Sequence, residues 1–411
     1  MWLSSLKRAA GVAGAVGLAC SFSGIASAAQ TYVQPEVKLT VETNSNRDLD
    51  ATPGADTPQT QGYFADLAAT FGIVTPRSDT TIRPRLRYQS YPDRDSVEEL
   101  ETFLDFYTSF RTQRSQFSTY GQFERRDTYN ADLSDPLFND LNPDGSTSAD
   151  AAGVSSAGET RDLIFLQPKY RYTVNQRLSV GVDAMYEMVD YSSDARTGRT
   201  SYDFVKGGGS IGWTATERLS YGAGVYVSRY EGRDEDLHSD GVGLTLDVNY
   251  KIREGLDASL QLIADRNEIE GVRAVAFRDD TSGVGAAVTV VSTGPVSNLR
   301  LSAGRTFSPS GNGGVFAVNQ FQIQYDRRFS QRLTWRNGVL FYQDRSIADA
   351  LEAGDRDYLS AGTWLRWSMT RTWFIEGGLR HVREEDVASK RSASNTSVAL
   401  SAGYLGLGRR P

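Results

Sequence analysis

The chain has 411 residues, a net charge of −7, 39% hydrophobic residues and a mean hydropathy of −0.42. A helical membrane protein is excluded, because no stretch after residue 30 reaches the ~18 apolar residues of a spanning helix. The acidic balance argues against nucleic acid as a partner. The 39 glycines and 20 tyrosines are unusually many, and the length suits several soluble domains or one large β-structure.

The first thirty residues read as a targeting segment. Lys7 and Arg8 form a positive n-region, Ala9 to Ala19 an apolar run, and Ala26-Ser27-Ala28 a small-residue cleavage site. A secretory signal peptide over 1–28, cleaved after Ala28, is expected. Residues 29–411 then form a single domain. The sole cysteine, Cys20, is part of the apolar run. The residues before it, Gly17, Leu18 and Ala19, place the large aliphatic side chain wrongly for lipid attachment.

Past the signal, the dominant pattern is alternation with period two, the mark of strands. Leu178, Val180, Val182, Ala184, Tyr186 and Met188 share one face against Ser179, Gly181, Asp183 and Glu187. Val242, Leu244, Leu246, Val248 and Tyr250 repeat the pattern, as do Leu256, Ala258, Leu260, Leu262 and Ala264. These segments run past the usual ~5–6 residues of a soluble strand and match the ~9–11 of a strand tilted across a bilayer.

An internal repeat sets the period. An aromatic, a short polar turn and Arg-Leu or a variant recur at Tyr172 to Leu178, Trp213 to Leu219 and Tyr250 to Leu256. Weaker copies end at Leu299, Leu333 and Trp373, so the anchors lie 34 to 43 residues apart. That spacing holds two long strands, a short turn and a longer loop. A propeller blade of similar period would need four short strands. The aromatic before each turn suits a membrane–water interface.

Eight short turns fall near 75–80, 111–116, 173–177, 214–218, 251–255, 292–298, 328–332 and 368–372. Nine longer connections alternate with them at 44–61, 92–100, 127–160, 191–200, 232–238, 267–280, 309–315, 346–355 and 385–392. The expectation is an all-β, closed antiparallel transmembrane barrel of eighteen strands, short turns periplasmic and longer loops extracellular. The first strand (33–43) and the twelfth (281–291) have the weakest patterns, and sixteen strands is the fallback. Val398, Leu400, Ala402 and Tyr404 give the last strand one apolar face, followed by a short tail.

The signal peptide, the repeated hairpins and the length of the mature chain resemble the β-barrel porin type 2 outer-membrane proteins. The resemblance covers the whole mature chain and rests on architectural motifs. It implies a Gram-negative outer-membrane location and an association with exopolysaccharide export. The implied partners are outer-membrane lipids and lipopolysaccharide, the barrel-assembly machinery and polysaccharide export proteins.

If the apolar faces meet lipid, the other faces line the lumen. Arg83, Arg85 and Arg87 then form an inward ladder, opposed by Glu101 and Asp105 on the next strand, with Tyr120, Gln122 and Glu124 beyond. Lys169, Arg171, Asp183, Glu187, Arg300, Asp326, Arg336, Arg366, Glu376 and Arg380 also point inward by the same parity. One reading is an arginine path for anionic solutes or acidic glycans. The favoured reading is a lumen zipped shut by ion pairs, because mixed signs on adjacent strands satisfy each other, or narrowed by the 127–160 loop folding inward.

The longest connection, 127–160, is acidic. Asp140, Asn142 and Asp144 match the opening of a calcium loop, but its twelfth position is Ala151 where a bidentate Glu is required. A Pro-Asp-Gly turn is the plainer account. No cofactor is implied. No catalytic residue is assigned, since neither His238 nor His381 sits in a nucleophile or metal arrangement. Gly207-Gly208-Gly209 reads as a bend or as tight lumen packing. Three functions remain: a channel or accessory barrel for surface-polysaccharide export, a general diffusion porin for small solutes, and a structural or adhesive barrel with a plugged lumen.

Overall fold

The computed structural model describes residues 29–47, 49, 59–92, 97–127, 160–192, 200–233, 237–272, 276–311, 315–346, 355–387 and 390–407. The signal segment with Ala28 and Cys20, and residues 128–159 of the longest loop with the calcium-like Asp140, Asn142 and Asp144, lie outside them.

Eighteen strands account for almost all of the described chain. They are β1 (Gln30–Asn44), β2 (Thr60–Val74), β3 (Ser78–Tyr91), β4 (Val97–Arg111), β5 (Ser115–Asp127), β6 (Thr160–Thr173), β7 (Leu178–Tyr191), β8 (Tyr202–Thr214) and β9 (Leu219–Gly232). The second half comprises β10 (His238–Arg253), β11 (Leu256–Val272), β12 (Ala276–Thr293), β13 (Ser297–Pro309), β14 (Val315–Arg328), β15 (Leu333–Ser346), β16 (Arg356–Ser368), β17 (Trp373–Asp386) and β18 (Arg391–Leu405). Each pairs antiparallel with the next, and β1 pairs with β18 from Glu36↔Leu405 to Asn44↔Ser397, closing the sheet. Closure leaves no free sheet edge, the condition for a sheet to exist in lipid. The barrel has the expected eighteen strands, so the sixteen-strand fallback falls away.

The weakest expected strands are longer than their patterns indicate. The first extends to Gln30–Asn44 and the twelfth to Ala276–Thr293. The connection expected at 267–280 is mostly strand, because β11 and β12 stay in register from Leu256↔Ser292 to Val272↔Ala276. Polar cross-strand pairs carry this ladder past the apolar zone, as where Arg266 meets Asp280.

Six of the eight short turns share one chemistry. A Thr, Asn or Ser three residues before a strand accepts the strand's first N–H. Ser78 donates to Thr75 at 2.8 Å, Ser115 to Thr112 at 2.9 Å, Leu178 to Asn175 at 3.0 Å, Leu333 to Ser330 at 3.0 Å and Trp373 to Thr370 at 3.0 Å. These are the local side-chain turns for which such residues are selected. The β10–β11 turn differs. Its Gly255 has φ of 71°, and a Cβ there would strike the Thr293 carbonyl, so only glycine fits.

Outward faces are apolar and uncovered. Val182 is 59% exposed, Val227 63% and Leu400 62%. An apolar surface this extensive is not stable in water, so the belt faces lipid and the barrel is transmembrane. Exposed Trp213, Tyr221, Tyr250, Trp367 and Trp373 ring its turn end, where amphipathic rings are favoured. At the other end charges cap it, with Arg229 meeting Glu231 at 2.7 Å and Asp240 at 4.0 Å.

Candidate functional site: the lumen

Strand register places Arg83, Arg85 and Arg87 on the inner face of β3. Arg83 lies opposite Asp105 and Arg87 opposite Glu101. The ion pairs follow a different route. Arg83 reaches Glu36 at 2.9 Å, passing over β2, where Ala68 lies beside both Glu36 and Arg85 and is too short to block it. Arg87 holds Asp66 at 2.8 Å and Glu101 at 3.8 Å. Asp105 instead accepts from the Tyr120 hydroxyl at 3.4 Å. Glu124 takes Arg126 at 2.7 Å and Arg161 at 3.5 Å, and it also accepts from Gln122.

Arg85 differs from its neighbours on the ladder. Its guanidinium stacks on Phe103, 3.8 Å from the ring centroid, and its buried Nε has no hydrogen-bond partner. Among the described residues no carboxylate lies within ion-pair distance of it.

The adjoining wall, β15–β18 with β1, is also paired. Lys38 and Arg366 both hold Glu376, at 3.2 and 2.8 Å. Arg356 holds Asp344 at 3.0 Å and donates to the Tyr342 hydroxyl at 2.8 Å, with both charges nearly inaccessible. Most lumen charge thus sits in pairs across neighbouring strands.

The long-connection end is packed. Leu163, Val189, Tyr202, Phe204, Tyr230, Leu237, Ile269 and Val315 form one buried cluster, and Phe307 packs against it. Leu49, Leu340, Tyr358, Val382 and Ala393 form a second on the far side. Between them Arg47 is buried against Asp127 at 3.9 Å and over the Tyr91 ring at 4.1 Å. Just past β9, Arg233 donates to Asp203 at 2.7 and 2.8 Å and also to Asp190. Chiefly the bond to Asp203 raises the guanidinium pKa.

One hairpin leaves the wall to build this end. β12 pairs with β13 only from Ala287↔Gly304 to Thr293↔Asn298, while β13 and β14 remain paired up to Pro309↔Val315. Above Gly304, β13 steps inside β12. A Cβ on Gly285 would overlap the Arg305 carbonyl, and one on Gly283 the Phe307 ring. Both glycines belong to the inner face of β12, since Gly283 pairs with Asp265. At the tip, Tyr230 donates to the Ser310 carbonyl at 3.1 Å and the Thr200 N–H to the Gly311 carbonyl at 2.7 Å. Val315, Phe316, Ala317 and Val318 are all buried, so this stretch of β14 has no solvent or lipid face.

The turn end of the lumen is roomier. A chamber of about 820 Å³ lies against β7–β11 and is shared with β4–β6. The inner faces of β7, β8 and β9 carry Gly181, Gly208, Gly212, Gly222 and Gly224, which leaves the backbone nearly bare. A Cβ on Gly208 would press on the Val225 carbonyl at 2.8 Å, so the expected tight packing falls on the middle residue of Gly207-Gly208-Gly209.

The two histidines are accounted for locally. His238 Nε2 lies 3.1 Å from Glu270 and His381 Nδ1 2.9 Å from the Thr396 hydroxyl. Among the described residues no three His, Asp or Glu side chains converge as a metal set. Sequence reasoning missed the inward hairpin and the bare wall. Their signals were present in the facing glycines at 283, 285 and 304, and in Val315–Val318, where period two gives way to an unbroken apolar run.

No protein-family model matches the chain, and no curated protein does. Among solved structures it is similar to Pseudomonas aeruginosa OccK2 (OpdF), 11% identical over 92% of this chain and 98% of that one, with a TM-score of 0.43. It is similar to P. aeruginosa OpdL at 12% identity over 93% and 99%, TM-score 0.42. Acinetobacter baumannii OccAB4 is 10% identical over 92% and 98%, TM-score 0.43. Superpositions this loose carry no argument about residues or solutes.

Proposed function

We propose that the chain, matured by cleavage after Ala28, is a Gram-negative outer-membrane channel through which small hydrophilic solutes cross. The observation that carries this reading is the lumen itself. A polar chamber at the turn end leads to a narrowing of paired charges and an inward-folded hairpin, inside a barrel sheathed in apolar residues. Outer-membrane lipids, lipopolysaccharide and the assembly machinery are the partners such a barrel requires. This geometry supports a diffusion channel better than polysaccharide export. A glycan chain needs a continuous wide bore, and here ion pairs and a hairpin occupy the path.

The test is reconstitution into planar bilayers and liposomes. Discrete conductance steps and swelling with pentose-sized solutes, but not with long oligosaccharides, are the expected result. The inward hairpin also favours a second reading, a structural or adhesive barrel with a plugged lumen. Absence of both conductance and swelling in correctly folded protein would select it.

A further inference from the structure

The two halves of the lumen differ in what their side chains lack. Around β1–β3 and β15–β18, most guanidinium and carboxylate groups pair with each other. The chamber between β4 and β11 is lined largely by neutral donors and acceptors. Gln116, Gln167, Ser179, Ser210, Thr245 and Asn249 line it and make no side-chain hydrogen bond to another described residue. Their polar atoms face the space above a bare glycine wall. The Cβ positions of Gly181, Gly212 and Gly224 fall 2.8, 2.8 and 2.7 Å from the hydroxyls of Ser210, Ser179 and Thr245. Any side chain at those three glycines would cover those hydroxyls.

The chamber also offers ring surface. Tyr107, Tyr120 and Tyr226 line it. The Tyr226 hydroxyl donates to Asp265 at 2.7 Å, which fixes the ring, and Lys206 Nζ sits 3.6 Å from its centroid. Lys206 has no carboxylate within ion-pair distance among the described residues, so its three N–H donors remain available to a ligand. Charge in the chamber is of both signs. Lys169, Arg171 and Lys206 stand against Asp183 and Asp247, with Lys169 and Asp183 in cross-strand register.

We propose that this wall is a binding face for small, neutral, polyhydroxylated solutes, of the size of a mono- or disaccharide. The proposal rests on the channel reading and deepens it. A volume of about 820 Å³ lies within the roughly 300–1,000 Å³ of small-molecule sites. Water fills unsatisfied hydroxyl and amide positions when the chamber is empty, and sugar hydroxyls reproduce that hydrogen-bonding pattern on one rigid frame. The aliphatic edge of a pyranose suits the tyrosine rings. A charged solute gains less, because cations and carboxylates both line the chamber and the neutral donors and acceptors outnumber them.

Binding is measured on folded protein in an amine-oxide detergent free of sugar headgroups, by calorimetry with maltose, glycerol and gluconate. Maltose should bind with millimolar or better affinity and gluconate no more tightly. The conservative double variant Ser210→Ala/Thr245→Val should weaken maltose binding about tenfold or more, at roughly fivefold per lost hydrogen bond. Gly224→Val, which covers the Thr245 hydroxyl, should also weaken it, and Arg85→Ala on β3, outside the chamber's lining, should not. No maltose binding by the folded parent, tighter binding of gluconate, or indifference to both wall changes would overturn the proposal. Calorimetry reads the face whether or not the barrel conducts. Absent conductance with intact maltose binding therefore sinks the channel reading alone, and conductance without binding sinks only this one.

Discussion

Gly304→Ala is the sharpest probe of the inward hairpin. A Cβ at this position lies 2.6 Å from the Ala286 carbonyl oxygen, 2.6 Å from the Ala287 Cα and 2.7 Å from its Cβ. Ordinary contact begins near 3.4 Å, so one backbone must move by about 0.8 Å. β12 is tied to β11 from Leu256↔Ser292 to Val272↔Ala276. β13 above Gly304 has no ladder to β12, so the hairpin is the side that gives. Overpacking of this kind costs about 1–3 kcal/mol. The tip is held by the Tyr230–Ser310 and Thr200–Gly311 bonds, each worth about 1 kcal/mol net, together with the buried Val315. The strain is comparable to the hold, and it should shift the docked–released balance roughly 5–150-fold toward release. Single-channel recording should show larger or longer openings than the parent, in protein that keeps its heat-modifiable gel migration. Gly207→Ala, with nothing within 4 Å of its Cβ, is the matched control. Unchanged gating in a folded Gly304→Ala barrel would refute the argument. So would loss of the barrel, since that outcome means β12 yields instead.

Three further outcomes follow from the wall and its charges. Val180→Arg puts a charge on the lipid face and should cost about 2–4 kcal/mol near the midplane, while Ser179→Arg on the same strand points inward and should cost little; equal losses in folding yield would contradict the face assignment. Arg85→Ala removes a positive charge that holds no carboxylate and should move reversal potentials toward cations with little effect on stability, whereas Arg87→Ala takes a cationic partner from Asp66 and Glu101 and should lower the unfolding temperature; the reverse order would count against the pairing scheme. Arg356→Leu leaves the inaccessible Asp344 carboxylate without its main partner and should destabilise by about 3–5 kcal/mol, read as a lower temperature for loss of the compact gel form.

The barrel was legible because its physics is local. Val242 to Tyr250 alternate because one face meets lipid and the other water. The turns were legible because Thr75, Asn175 or Ser330 must sit where a strand's first N–H needs an acceptor. Partner choice in the lumen was not legible to the same depth. Arg83 lies across from Asp105 in register, yet its partner is Glu36, two strands away, because a long side chain crosses the short Ala68. That choice depends on the size of an intervening residue and on strand tilt, neither of which is a periodic signal. The hairpin was less legible still. Gly285 and Gly304 look like ordinary strand glycines until the break in the β12–β13 ladder brings the Arg305 carbonyl over one and the Ala286 carbonyl against the other.

The inward step also explains how a wall with an interrupted ladder remains compatible with lipid. Unpaired backbone groups are costly in hydrocarbon, and the β12–β13 ladder stops at Ala287↔Gly304. The break lies high in the barrel. Val284 is 74% exposed on the outer face, and Asp280, four residues further along β12, already meets Arg266 among the charges that cap the apolar belt. Most of the unpaired length of β12 therefore lies beyond the belt, where water can satisfy it. A step placed lower, among the residues that pair from Val288↔Ala303 to Thr293↔Asn298, would open the ladder inside the hydrocarbon. The same constraint sets how far the hairpin can move. Release must hinge at Gly304 and leave the ladder below it intact, so gating is confined to the long-connection half and the chamber beside β7–β11 keeps its walls.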